Sequence, residues 1–145
     1  GVPSRDIFRM LGEEQGIALD PLAASREKEA AYLPMLAETR EIEPVARIAR
    51  EHHGKMPMAV ASGGMKHVIE QVLTHLNLRH LFQAVVTSED VTRQKPAPDI
   101  FLEAARRIGV PPGQCRGFED TELGLTAIRA AGMEAVDVRI WTGAR

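Results

Sequence analysis

A chain of 145 residues, 44% hydrophobic and 26% charged, holds enough apolar side chains for one core and no more than one domain with a small appendage. Its formal net charge of -2, with lysine and arginine dispersed, offers no basic stripe to nucleic acid, and its apolar runs are too short to span a membrane. The single cysteine excludes an internal disulfide and agrees with a reducing, cytoplasmic setting.

From the N-terminus, Pro3-Ser4-Arg5-Asp6 opens a helical pattern in which Ile7, Met10 and Leu11 share a face before Gly16 stops it. Asp20-Pro21 starts a second helix predicted to run to Thr39, with Leu22, Ala30, Leu33 and Leu36 on one side and Arg26, Glu27, Lys28 and Glu29 as a solvated other side. Two amphipathic helices cannot enclose a core, so residues 1–40 read as a helical unit resting on something else, with Glu41 to Glu43 as the hinge.

From Pro44 the pattern alternates between helix and strand. Val45 to His53 reads as a helix, Met56 to Ala61 as a buried strand, and Met65 to Leu76 as a helix after the turn Ser62-Gly63-Gly64. A strand over Ala84 to Thr87 feeds a loop ending in Lys95-Pro96-Ala97-Pro98, and Asp99 to Ile108 is the next helix. Cys115 to Phe118 is a third strand, Glu119-Asp120 its acidic turn, and a helix from Thr121 leads to a last strand over Ala135 to Val138. Repeated β-α units of this length predict a parallel sheet with helices on both faces.

Ligands of such sheets gather at the carboxyl ends of the strands, and three successive strands here end in polar chemistry. Ser62 with the Gly63 and Gly64 amides, just before a helix, is suited to a phosphate. Lys95, in a loop stiffened by Pro96 and Pro98, is a point charge for the same group. Glu119 and Asp120 repel one another as anions, and Mg²⁺ would stabilise both. Taken singly, each has a plainer reading: a generic turn, a surface lysine, and an Asp120 that caps the next helix beside a solvated Glu119. Jointly they describe phosphoryl transfer, where catalysis is mostly positioning and charge neutralisation. Cys115, at the far end of its strand, reads as an inert thiol, and His52 and His53 as ordinary residues at a helix C-terminus.

These stretches resemble the haloacid dehalogenase-like hydrolases. Met58-Ala59-Val60-Ala61-Ser62 is similar to the family's second motif and Lys95-Pro96-Ala97-Pro98-Asp99 to its third. Phe118-Glu119-Asp120, with Gly124 and Ala130-Ala131-Gly132-Met133, is similar to the fourth. The likeness is greatest to the β-phosphoglucomutase-like branch, in particular to bacterial fructose-1-phosphate/6-phosphogluconate phosphatases. It implies a Rossmann-like, three-layer α/β core with a parallel sheet over residues 44–145 and a partial helical cap over residues 1–43. It further implies Mg²⁺-dependent hydrolysis of a small sugar phosphate through an aspartyl-phosphate. Ser62, Gly63, Gly64 and Lys95 would bind the phosphoryl oxygens, Asp120 would hold the metal with Glu119 as a direct or water-mediated partner, and Arg5 of the cap is a candidate contact to the sugar phosphate.

One departure is decisive. The family's nucleophile and acid/base are two aspartates of an Asp-x-Asp motif on a first core strand ahead of the cap, and no Asp-x-Asp triplet occurs in these 145 residues. The implied strand belongs at the centre of the sheet, between the strand before Ser62 and the strand before Glu119. The expectation is therefore a fragment of a longer enzyme, inactive by itself, and either monomeric or paired with another copy through the exposed sheet. A phosphomutase of the same branch and a non-catalytic piece that keeps the phosphate and metal corner are the alternatives.

Overall fold

The computed structural model describes residues 4–142. Gly1 to Pro3, where the first helix is expected to open, lie outside them. Helix α1 spans Ser4–Gln15 and α2 Pro21–Tyr32, the latter capped by the Asp20 carboxylate, which accepts from the Leu22 and Ala23 amides at 2.9 and 3.2 Å. The predicted run to Thr39 is not one α-helix. Pro34 lacks the N–H that would continue the ladder, and the chain tightens into a 3-10 helix over Leu33–Glu38. The expected apolar faces are also less buried than their pattern implies: α1 buries no residue, Ile7, Met10, Leu11 and Leu22 are exposed, and Ser25 is the buried position among the described side chains of α2. The two helices pack against each other.

Helix α3, Glu43–His52, begins the alternating part, tied to the preceding segment by a bidentate Arg50–Glu41 pair at 2.8 and 2.6 Å. Strand β1 (Ala59–Ala61) is followed by α4 (Lys66–His75), β2 (Ala84–Val86) and α5 (Asp99–Ile108). Then come β3 (Arg116–Glu119), α6 (Glu122–Ala130), β4 (Glu134–Asp137) and a short α7 (Arg139–Thr142). Strand β1 pairs in parallel with β2, Val60 opposite Val85, and β3 in parallel with β4, Phe118 opposite Val136.

The period of two along the strands sorts the core into layers. Ala59, Ala61 and Val86 join Ile100, Phe101, Ala104, Ala127 and Ile128 on the side of α5 and α6. Met58, Val60 and Val85 face the opposite way, with Ala46 of α3 and Leu73 of α4. Helix α6 can lie on β3 because Gly117 has no side chain: a Cβ there would stand 2.7 Å from Ile128 Cδ1. Trp141 of α7 leans on Phe118 with ring centroids 6.1 Å apart.

The three-layer parallel α/β core is thus as the sequence predicts, but its sheet is two pairs, β1–β2 and β3–β4, rather than one ladder. Among the described residues, β1 and β3 each have a neighbour on one edge only. These are the two strands predicted to flank a missing central one. None of the helices among the described residues is long and apolar enough to cross a membrane.

Candidate functional site

A cavity of about 430 Å³ opens where β1 and β3 end. Its core wall carries Ser62, Gly63, Gly64, Lys95, Glu119 and Asp120, so the polar groups that the sequence scatters over 59 positions meet in one place. Its other wall is made by Ser4 and Lys28 of the helical segment with Ile42 and Val45.

Lys95 reaches this corner through a tightly anchored loop. Thr87, fully buried, gives its N–H and hydroxyl to Asp90 Oδ2 at 2.8 and 2.9 Å, and Arg107 holds the other carboxylate oxygen at 2.6 Å. Burial pushes the Asp90 carboxyl up, but the Arg107 and Thr87 donors outweigh it and hold it at about 2. Gln94 then ties the loop to the Ser88 and Val91 carbonyls at 2.9 and 3.3 Å. The outcome is a Lys95 side chain only 6% exposed, its ammonium 4.9 Å above the Phe101 ring centroid and 2.7 Å from Glu119 Oε2.

Glu119 is correspondingly committed. Its Oε1 accepts from the Asp120 amide (3.1 Å), the Thr121 amide (3.0 Å) and the Thr121 hydroxyl (2.9 Å). Burial raises its proton affinity, yet Lys95 and these donors bring the carboxyl down to about 2. Gly124 makes room for the arrangement, because a Cβ there would collide with the Glu119 carboxylate. The cap of α6 is Thr121, whose hydroxyl accepts from the Gly124 amide at 3.1 Å, so the plainer reading of Asp120 as helix cap and Glu119 as solvated does not hold.

Asp120 is left exposed at the mouth. The hydrogen bond shared with Glu119, then burial, then the charge of Glu119 push its carboxyl above the ordinary value. A cation would relieve that pressure, and Mg²⁺ is commonly held by one or two carboxylates completed by water and phosphate oxygens. No group of three or more His, Cys, Asp and Glu side chains converges among the described residues, so this chain offers Asp120 as one donor of such a set. Glu119, expected as its direct or water-mediated partner, accepts the Lys95 ammonium at Oε2.

At the first strand, the Ser62 hydroxyl accepts from the Gly64 amide at 3.2 Å, and the Gly64 carbonyl accepts from the Ser88 hydroxyl at 3.2 Å. The first amide of α4, that of Lys66, donates to Glu89 at 2.7 Å. A side-chain carboxylate thus already occupies the helix terminus expected to face a phosphate, and the Gly63 amide with the Ser62 hydroxyl remains for a ligand.

Of the cap residues, Arg5 is exposed on α1 and is not part of the cavity wall, whereas Lys28, exposed as expected of a solvated face, also lines the cavity. Lys28 lies three positions after buried Ser25, at the border of the packed face of α2, which a run of alternating charges conceals. Elsewhere the plain readings fit: the Cys115 thiol is half-buried, raised by burial, and donates to the Pro111 carbonyl at 3.5 Å, and His52 Nδ1 stands 2.8 Å from the Ile48 carbonyl.

Comparison with known proteins places this geometry. A family model described as haloacid dehalogenase-like hydrolase matches residues 1–138. The chain is 46% identical over 140 residues to fructose-1-phosphate phosphatase YqaB of Escherichia coli (strain K12), covering 97% of this chain and 74% of that protein. It is 32% identical over 111 residues to hexitol phosphatase B of the same strain, covering 75% of this chain and 50% of that one. Among solved structures, β-phosphoglucomutase from Clostridium difficile superposes with a TM-score of 0.79 at 24% identity, over 94% of this chain and 65% of that chain. CbbY from Rhodobacter sphaeroides, in complex with phosphate, gives 0.69 at 25% identity, over 81% and 55%. The chain therefore spans between half and three quarters of the length of these relatives. A family model matched almost end to end, and a relative at 46% identity, together establish that the chain belongs to the haloacid dehalogenase-like hydrolase family.

Proposed function

We propose that this chain forms the phosphate-binding and metal-holding part of a Mg²⁺-dependent phosphatase acting on small sugar phosphates in the cytoplasm. The observation that carries the reading is the buried Lys95–Glu119 pair at 2.7 Å, set beside Ser62 and Asp120 on one cavity. Two relatives, named fructose-1-phosphate phosphatase YqaB and hexitol phosphatase B, support the substrate class.

Residues 1–43 act as a partial cap and residues 44–145 as the core. In the reaction, the Ser62 hydroxyl, the Gly63 amide and the Lys95 ammonium donate to the oxygens of the transferring phosphoryl group. Glu119 takes one donor of Lys95 and aims the remaining two at the substrate. Asp120 would hold Mg²⁺, which supplies charge neutralisation for the phosphate oxygens when bound. Ile42 and Val45 supply apolar surface to the wall opposite these groups. The nucleophile comes from an Asp-x-Asp strand outside residues 1–145 that lies between β1 and β3, so residues 1–145 alone bind phosphate without turning it over.

The test is phosphate release from fructose 1-phosphate by the enzyme that includes this strand, with Mg²⁺ and after chelation. Turnover should need the metal and fall by at least about a hundredfold in Asp120→Asn. Metal-independent turnover, or an Asp120→Asn enzyme as active as its parent, sinks the assignment. An isomerised sugar phosphate in place of free phosphate would identify a mutase.

A further inference from the structure

Two segments of the candidate site, the Ser62–Gly64 turn and Lys95, are held by the same loop, residues 87–98 between β2 and α5. Its start, a 3-10 turn over Ser88–Asp90, grips the first segment. The Ser88 amide and hydroxyl both donate to the Gly64 carbonyl, at 3.4 and 3.2 Å, and Glu89 accepts from the Lys66 amide at 2.7 Å. Further along, Gln94, next to Lys95, donates to the Ser88 carbonyl at 2.9 Å. A stretch of this length with no strand or α-helix of its own keeps one shape only when groups outside it fix it.

Arg107, in the last turn of α5, supplies that fixing from outside the cavity. Its guanidinium donates through Nη2 to Asp90 Oδ1 at 2.6 Å and through Nη1 to the Val85 carbonyl of β2 at 3.2 Å. Through Nε it donates to Glu103 Oε1 at 2.7 Å, one turn back on its own helix, which sets the direction of the fork. A planar group with donors on three nitrogens can span acceptors on a strand, a loop and a helix, whereas an ammonium carries its donors on one atom. We infer that Arg107 is a positioning residue for the phosphate site: by clamping β2 and Asp90 to α5 it fixes where Lys95 and the Ser62–Gly64 turn stand, and so sets phosphate affinity without touching the ligand. This rests on the reading of the cavity as a phosphate site. A merely structural link would lower stability and leave the affinity of the folded chain unchanged.

The test is calorimetry with inorganic phosphate on the full chain and on Arg107→Met, Arg107→Lys, Asp90→Asn and Arg106→Met, each corrected for the folded fraction read from its urea curve. Arg106 is the control, since it bonds Glu103 at 2.7 Å, as Arg107 does, but its side chain is 72% exposed and these are its only ion-pair contacts among the described residues. A second readout, by peptide mass spectrometry, is the rate at which Lys95 is acylated against the rate at which Cys115 is alkylated. Arg107→Met and Asp90→Asn should each weaken phosphate binding about tenfold and speed acylation of Lys95 by a similar factor, with Cys115 unchanged. Arg107→Lys should keep about a threefold loss, and Arg106→Met should stay within about twofold of the parent. Should Arg107→Met not fold, Asp90→Asn and Arg107→Lys carry the same comparison. Phosphate affinity within about twofold of the parent in the folded clamp variants overturns the inference while the phosphate site stands. An equal loss in Arg106→Met, or labelling of Lys95 and Cys115 that rises in parallel, does the same. Failure of the parent to bind inorganic phosphate overturns both.

Discussion

Lys95 and Glu119 are 6% and 10% exposed, and each is the other's charge partner. Removing one member strands the other: Lys95→Met should cost about 3–5 kcal/mol of stability, read from the urea midpoint at neutral pH. The same pair sets an acid limit. The Glu119 carboxyl lies at about 2 in the folded chain against an ordinary 4.5, so its contribution, about 3 kcal/mol, is complete above the unfolded value and disappears as pH falls from about 4.5 towards 2. Lys95→Met should flatten that part of the stability profile, and a variant as acid-sensitive as the parent would show that the pair is not its source. Asp120 has the opposite sign, because its carboxyl is raised by Glu119 and its charge is a burden near neutral pH. Asp120→Asn should therefore raise the urea midpoint without metal while abolishing any stabilisation by Mg²⁺. At this scale the sequence made it legible that Ser62, Lys95 and Asp120 meet at one edge of the sheet, since each follows a strand, and one cavity indeed holds all three. It was not readable where a position depends on which wall a helix presents: Lys28 lines the cavity and Arg5 does not.

The elements are held by small local devices. Thr121 carries two tasks, capping α6 through the Gly124 amide and donating to Glu119, and Gly124 leaves the space that Glu119 fills. A methyl group at Gly124 cannot coexist with the carboxylate as placed. Gly124→Ala should therefore lose the Lys95–Glu119 contact and weaken phosphate binding, although alanine favours helix over glycine by about 1 kcal/mol. Thr121→Ala removes the cap at about 1 kcal/mol and one of Glu119's donors, with a smaller effect on phosphate binding. Calorimetry with inorganic phosphate ranks the two; if Gly124→Ala binds phosphate like its parent, the steric account is wrong. Helix α5 was legible to the residue, since Pro98 and Gly109 bracket an amphipathic run. Strand β1 was shorter than its apolar run, because only Ala59 to Ala61 have a partner strand, and α2 stopped early at Pro34.

For the whole molecule, the division of the sheet decides what the chain can do alone. Strands β1 and β3 each have one unpaired edge among the described residues; Ser62 follows β1, Glu119 and Asp120 stand at the end of β3, and Lys95 reaches the same cavity from the loop after β2. Open strand edges invite pairing with another chain, so residues 1–145 by themselves should associate as concentration rises, measurable by sedimentation. Linking an Asp-x-Asp strand in cis, to lie between β1 and β3, would fill both edges, join the two halves of the core and put a carboxylate beside Ser62, Lys95 and Asp120. That extended protein should sediment as a defined species, unfold at higher urea and release phosphate from fructose 1-phosphate, whereas residues 1–145 should bind phosphate with no turnover. The pattern of β-α units made the layers legible, but a gap is a relation between strands far apart in sequence, and only the resemblance to a family pointed to it. If residues 1–145 turn over substrate unaided, or the linked strand changes neither stability nor association, the two edges do not mark a missing catalytic strand, and the nucleophile must be sought among the residues already in the cavity.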